Sequence, residues 1–200
     1  MTVIISAPSG AGKSTIIREL LNVDSSLEFA ISSTTRPRRE TEQHAREYYF
    51  VDKDTFRKEI ENEGFLEWAI VHNNYYGTRK KEIDRISGEG KIPVLDIDVQ
   101  GASILRKKIQ DAVFVFIVPP SLEVLEDRLR NRKTDSDEQI GIRLKASILE
   151  MRSCAEFDYA VVNDDVTTAV SDIVSIIRSE KLRIERMKQK ISDICDNKNL

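Results

Sequence analysis

The chain has 200 residues, 40% of them hydrophobic and 32% charged, which suits one globular domain of α/β type with room for small inserted subdomains. Its net charge is −3, from 31 basic and 34 acidic residues, so no overall positive field draws it to nucleic acid. Only a few apolar residues precede the first loop, too few for a signal peptide or a membrane span, and Cys154 and Cys195 lack metal or redox spacing; a reducing cytoplasmic setting is expected.

The first elements in chain order already specify a ligand class. Val3, Ile4 and Ile5 form a short apolar run suited to a buried strand, and "STIIRELLN" repeats apolar residues at helical spacing through Ile16, Ile17, Leu20 and Leu21. Between them lies "APSGAGKST", a phosphate-cradling loop in which Ala7 replaces the usual first glycine. Successive backbone N–H groups in such a loop make an anion nest, and the helix N-terminus points at the same place. Gly10 and Gly12 keep side chains out of the phosphate's way, Lys13 brings a mobile positive charge, and the Ser14 hydroxyl is placed for Mg²⁺. Ala7 only begins the turn and is compatible with it at negative φ.

Further along, "FAISS" (Phe29 to Ser33) and "EYYFV" (Glu47 to Val51) read as strands, followed by a helix over "DTFRKEIENEG" that Gly64 ends. "FLEWAIV" and "NYYGT" flank a tight turn at Asn73 and Asn74, and a helix over Lys80 to Ser87 leads into "PVLDID". "AVFVFIV" is a fully buried strand stopped by Pro119 and Pro120. Two helices surround the polar "NRKTDSDE", and the strand "YAVVN" precedes one long C-terminal helix. Strands alternating with helices imply a parallel sheet with crossover helices, and ligands then bind at the carboxyl ends of the strands. Asp96, Asp98 and Asn163 fall there. An aspartate facing a phosphate loop serves a magnesium site; capping of a helix from Val99 is the other reading and covers Asp98 alone.

The middle third supplies a second phosphate site. Within "SSTTRPRRETEQHAREYYF", Arg36, Arg38 and Arg39 stand close to the hydroxyls of Ser32, Ser33, Thr34 and Thr35, and Tyr48 and Tyr76 add phenol donors. Clustered guanidiniums and hydroxyls suit bidentate capture of a phosphate.

That block, together with "FLEWA", "NYYGT", "LDIDVQG" and "VVNDD", resembles guanylate kinase in order and spacing, from about Val3 to the C-terminal helix. The resemblance implies a P-loop NTPase-type parallel sheet flanked by helices, with a small mixed GMP-binding subdomain over about 32–90, a helical lid over about 123–149, and a core made of the rest. It implies phosphate transfer from ATP to GMP, and to dGMP, with Mg²⁺ carried on the ATP. Lys13, Arg36, Arg132 and Arg143 would be catalytic. The loop from Ala7 through Pro8, Ser9, Gly10, Ala11, Gly12, Lys13 and Ser14 to Thr15, with Arg128, Arg132 and Asn163, would hold ATP. Arg36, Arg39, Tyr48 and Tyr76 would hold the GMP phosphate; Ser32, Glu67 and Thr78 would face the guanine, supported by Glu42 and Asp98. Ser14 and Asp96 would serve the metal. Besides Ala7, two departures from the pattern stand out. Ala45 replaces a glycine, which a positive φ would strain, and "NRK" at 131–133 replaces G-R-G in the lid.

Guanine also suits these residues chemically. It presents two adjacent donors, N1–H and the 2-amino group, beside the O6 acceptor, so one carboxylate takes both donors while a hydroxyl gives to O6. Adenine would leave Glu67 unpaired. A peptide-binding module of the same fold, a kinase of another small phosphate ester and a nucleotide-hydrolysing switch remain as alternatives; the intact Lys13, Ser14 and Thr15, and Glu67 with Ser32, argue against them.

At the far end, apolar residues recur at Val170, Ile177, Ile184 and Ile191, with a second row at Ile173, Met187 and Ile194 that Glu180 interrupts. Either one amphipathic helix lies across its own domain, or the part beyond Lys181 projects and pairs with a second copy of the chain, leaving Arg183, Arg186, Lys188 and Lys190 solvated.

Overall fold

The computed structural model describes residues 1–71, 73–131 and 136–196. His72, between the expected strands, and Arg132, an expected catalytic and ATP-binding residue, with the rest of the segment at 132–135, fall outside the described residues.

Among the described residues, two sheets organise the chain. The larger contains β1 (Thr2–Ser6), β2 (Leu27–Phe29), β7 (Ile92–Asp96), β8 (Ala112–Val118) and β9 (Tyr159–Val162), all parallel, in the order β2-β7-β1-β8-β9. The smaller contains β3 (Ser33–Thr34), β4 (Tyr49–Phe50), β5 (Phe65–Val71) and β6 (Asn74–Arg79) in the order β4-β3-β6-β5, with one parallel and two antiparallel pairings. The chain runs from β1 out to the edge at β2 and later crosses back to β8. The carboxyl end of β1 therefore lies where the winding reverses, the place where such sheets leave a crevice.

Side-chain alternation builds the two faces of the large sheet. Val3, Ile5, Val94, Val115 and Ile117 pack against Ile16, Ile17 and Leu20 of α1 (Lys13–Val23) and against Val170, Ile173 and Ile177 of α7 (Val166–Lys181). Ile4, Leu95 and Phe114 face the other way, against Ile86 of α3 (Lys80–Gly88) and Ala102 and Leu105 of α4 (Val99–Lys108). Both faces are covered, which is why these strands read as unbroken apolar runs. A third, smaller cluster joins Leu125 and Leu129 of α5 (Leu122–Arg130) to Ile140 of α6 (Asp137–Arg152). Ser136 starts α6 with a reciprocal capping box to Gln139.

Several local expectations need correction. "FAISS" is not one strand: β2 ends at Phe29, and the chain passes to the other sheet before β3. "EYYFV" contributes only Tyr49–Phe50. In α2 (Lys53–Glu61) the left-handed residue closing the helix is Glu63, at φ 51, one position before Gly64. Asn74, expected in the hairpin turn, is already paired with Val71, and Asn73 has φ 63.

The long C-terminal helix is two helices. After α7, Leu182 takes φ −93 and ψ 0, and α8 (Ile184–Asp196) starts anew. Glu180 explains the break. Its buried carboxylate accepts from the Tyr159 hydroxyl at 2.6 Å and pairs with Arg186 of α8. Arg186 also reaches Asp111 at 2.8 Å, and Asp111 holds the N-terminal ammonium. Arg186 is thus not a solvated outer residue, as expected from sequence; it pins the start of α8 to the core. The apolar rows divide at the break: Val170, Ile173 and Ile177 are buried, whereas Ile184, Ile191 and Ile194 are exposed.

Candidate nucleotide site

The loop from Ala7 to Thr15 lines a hollow of about 290 Å³ with Glu150 across from it. Gly10 and Gly12 have φ of 92 and 93, and Ala7 is absent from the positive-φ residues, so the alanine costs the turn nothing. The loop is fastened from below. Asn163, 2% exposed, donates from Nδ2 to the Ala11 carbonyl at 2.6 Å, and Arg128 donates to the carbonyls of Asn163 and Ala11 at 3.0 and 3.5 Å. Asn163 and Arg128, expected at the nucleotide, also fasten the loop. From α6, Ser147 donates to the Ser9 carbonyl at 3.2 Å and Glu150 accepts from the Ser9 N–H at 3.3 Å. Sequence reading missed these two, yet the signal was present: Arg143, Ser147 and Glu150 recur at helical spacing and share one face of α6.

A β-carbon at Gly12 would fall 2.4 Å from Asn163 Nδ2. Gly12→Ala is expected to combine that clash with a strained φ, costing about 1–3 kcal/mol of stability and displacing the latch. Thermal melts and the affinity for ATP should fall together in that variant.

Lys13 lies over the hollow's inner end, with Nζ 2.5 Å from Asp96 Oδ1 and 3.1 Å from the Ile97 carbonyl. Asp96 has a second neighbourhood. It lines a pocket of about 220 Å³ together with Ser32, Tyr48, Glu67, Tyr76 and Asp98. One carboxylate is thus the shared wall between the loop and a pocket in the smaller sheet.

A charged cluster adjoins that pocket at Tyr48, and a hydrogen-bonded carboxylate lines its second end. In the cluster, Arg36 grips Glu42 in a two-pronged ion pair, at 2.7 and 3.0 Å, and Glu42 also accepts from the Arg39 N–H at 2.8 Å. The Arg36 guanidinium, then that N–H, hold the Glu42 carboxyl down at about 2. Arg36 sits 5.7 Å from the Tyr48 ring centroid, and Tyr48 meets Tyr76 edge-on at 5.9 Å. Burial raises the Tyr48 phenol above its ordinary range, with Tyr76 and Asp96 adding to it, so it stays a donor at neutral pH. The Arg39 side chain is exposed at the rim. Nearby, Ala45 has φ 63, the strain expected where a glycine is missing, while its N–H reaches the Tyr48 carbonyl at 2.9 Å.

At the second end Glu67 is 8% exposed. Its Oε1 accepts twice from Thr78, from the N–H at 3.0 Å and the hydroxyl at 2.9 Å. Ser32 Oγ lies 3.1 Å from the Thr78 hydroxyl and shares a hydrogen bond with it. Thr78 itself is completely buried, so it aims Glu67 and does not face the pocket as expected. Oε2 of Glu67 is left toward the pocket wall near Gly101. Burial pushes the Glu67 carboxyl above its usual range, partly offset by the Thr78 bonds and reinforced by Asp98. Asp98 caps α4, accepting from the Gly101 N–H at 2.7 Å, so the capping reading holds for it. Arg143 lies half-buried on α6.

Three comparisons with known proteins bear on these features. The family described as guanylate kinase matches residues 1–180. A guanylate kinase of Carboxydothermus hydrogenoformans is 43% identical over 191 residues, 96% of this chain and 94% of that protein. One from Aromatoleum aromaticum is 49% identical over 181 residues, 90% and 89% of the two chains. Among solved structures, guanylate kinase from Anaplasma phagocytophilum superposes with a TM-score of 0.73 at 31% identity, covering 93% of this chain and 88% of that one.

Proposed function

We propose that this chain, which belongs to the guanylate kinase family and is an enzyme that phosphorylates GMP, draws the phosphate from the γ-position of ATP. The observation that carries the reading is Asp96, paired with Lys13 of the loop while lining the pocket that holds Tyr48 and Glu67. A triphosphate in the loop and a monophosphate beside Arg36 and Tyr48 would meet across that wall. The core strands and α1 carry the donor, the insert at 32–90 carries the acceptor, and the segment at 123–149 acts as the lid. Lys13, the loop N–H groups, Arg36, Arg143 and Arg132 offset charge as it spreads over the transferring group. Arg39, Tyr48 and Tyr76 hold the acceptor phosphate, and Ser32 with Glu67 reads the base. dGMP fits the same pocket, and the reaction serves purine nucleotide recycling in the cytoplasm. Among the described residues no helix is long and apolar enough to cross a membrane.

The donor set fits Mg²⁺. Ser14 is exposed at the loop, Asp96 is half-buried beside Lys13, and the described residues contain no group of three or more His, Cys, Asp or Glu placed to hold a metal ion by themselves. Mg²⁺ characteristically keeps its waters and takes one or two protein oxygens plus substrate phosphates. Bound there, the ion would polarise the phosphoryl oxygens, and Lys13 would leave Asp96 for the phosphates. The test of the whole reading is ADP release with ATP and each of GMP, dGMP, AMP, UMP and ribose 1,5-bisphosphate. Turnover with GMP and dGMP alone is expected; equal turnover with AMP would overturn the base assignment.

A second copy of the chain is the partner we assign to α8. Ile184, Ile191 and Ile194 are exposed on a helix whose first turn is anchored by Arg186, so its apolar row is presented outward on a fixed support. A two-fold pairing would use the same row from both chains. Light scattering should give a dimer mass for the full chain and a monomer mass after truncation at Arg183. A monomeric full chain at tens of micromolar would end this assignment.

A further inference from the structure

Glu82 takes no part in the chemistry above, yet it is one of the most enclosed carboxylates in the protein, 3% exposed in the first turn of α3. Its partners come from three different segments. Oε1 accepts from the Ile31 N–H at 3.2 Å, and Oε2 from the Tyr49 hydroxyl at 3.1 Å. Arg85, one turn on, reaches Oε1 at 3.1 Å and Oε2 at 3.3 Å. Arg85 also continues to Glu28 of β2 at 2.6 Å. The place of these partners gives the contact its meaning. Ile31 immediately precedes Ser32, the hydroxyl assigned to the base, and lies where the chain leaves the large sheet for the small one. Tyr49 immediately follows Tyr48, the phenol assigned to the phosphate.

We infer that Glu82 is a positioning residue for the acceptor nucleotide, setting Ser32 with one oxygen and Tyr48 with the other. The inference rests on the GMP reading of the pocket. Through Arg85 and Glu28 the same carboxylate refers both groups to the edge of the large sheet, and hence to the loop that holds the donor. A spacing between donor and acceptor phosphates has to be held closely, because misplacement by about 1 Å can cost 10²-fold in rate. Removing one partner of a buried ion pair is itself costly to the fold, so the test needs a readout that stability alone does not move.

The test uses the full chain, with GMP and ATP each varied at saturation of the other. Tyr49→Phe removes one bond and leaves the ring; Glu82→Gln keeps the shape and loses the charge that holds Arg85. The Michaelis constant for GMP is expected to rise about threefold in Tyr49→Phe and about tenfold in Glu82→Gln, with that for ATP unmoved. A purely structural anchor would lower the melting temperature and leave the GMP constant where it was. Should both variants keep the parent's GMP constant while the parent phosphorylates GMP, the inference is overturned and the acceptor reading stands. Should Glu82→Gln fail to fold, an unchanged GMP constant in Tyr49→Phe overturns it alone. A parent with no GMP turnover overturns the acceptor reading, and this inference with it.

Discussion

Lys13→Met is expected to lower kcat by about 10³-fold or more while the Michaelis constant for GMP stays near the parent's, because the lysine acts on charge that develops during transfer. The structure gives the substitution a clean interpretation. Lys13 contributes one ion pair to Asp96 and one bond to the Ile97 carbonyl, and Met fills the same space along the loop. The acceptor pocket keeps Arg36, Tyr48 and Glu67 unaltered, so GMP affinity reports whether it remains built. Single-turnover measurement with ATP in excess separates chemistry from product release. Parent-like transfer in this variant would remove Lys13 from the mechanism.

Glu67→Gln addresses the base. Guanine brings two adjacent donors, and a carboxamide whose oxygen already serves Thr78 turns an N–H toward them. The loss in kcat/KM for GMP is expected to be roughly 10²- to 10³-fold, with ATP little affected and the preference over AMP compressed. If the GMP Michaelis constant did not change, another residue must read the base. Stability should move the other way. Glu67 has its folded carboxyl raised above the ordinary value of 4.5, burial being the main cause. A raised acid binds its proton more tightly when folded, so the charged form weakens the fold as pH rises through the folded pKa. Glu67→Gln removes that penalty. It should therefore melt higher than the parent at pH 7, with the gap closing as pH falls below about 4.5, where Glu67 is neutral in both states. The Glu42 carboxyl, at about 2, behaves oppositely. Its pairing with Arg36 contributes fully above the ordinary carboxylate pKa and is lost only as pH falls toward 2.

Local sequence signals told much of this. The strand, loop and helix from Thr2 to Val23 are adjacent in the chain, and glycine, lysine and serine at fixed spacing suffice to specify a phosphate nest. The arginine and tyrosine cluster was legible for the same reason, as was the strain at Ala45. What the sequence concealed depends on partners far away in the chain. Asn163 is fastened to a carbonyl 152 positions earlier, so its strand-end location suggested a ligand contact and its burial could not be seen. Thr78 looked like a pocket hydroxyl until its cross-strand pairing with Glu67 placed it underneath. The apolar row through Ile177 and Ile184 continues across the helix break, because what stops α7 is the polar tie from Glu180 to Tyr159 and Arg186. Glu82 had no signal beyond an ordinary acidic residue near a helix start; its three partners are assembled only by the two sheets together.

The order of strands in the large sheet bears on how the molecule assembles in time. Leu27 and Ile92 are partners in register, and the Ala30 N–H meets the Val94 carbonyl at 2.9 Å, although the whole smaller sheet and the segment at 32–90 lie between them. The edge strand thus joins the sheet only by closing a very long stretch of chain, and it has three residues with which to do so. Loop-closure entropy grows slowly, by about 0.6 kcal/mol per doubling of length, so the equilibrium tolerates this well. Kinetics do not gain the same relief, because distant pairings delay the search for the native topology. The edge strand β2 should be among the last parts of the sheet to protect its amides during refolding. Until then the two ends of the segment at 32–90 lack their pairing through β2 and β7, and the protein would acquire the affinity for its donor before its affinity for its acceptor.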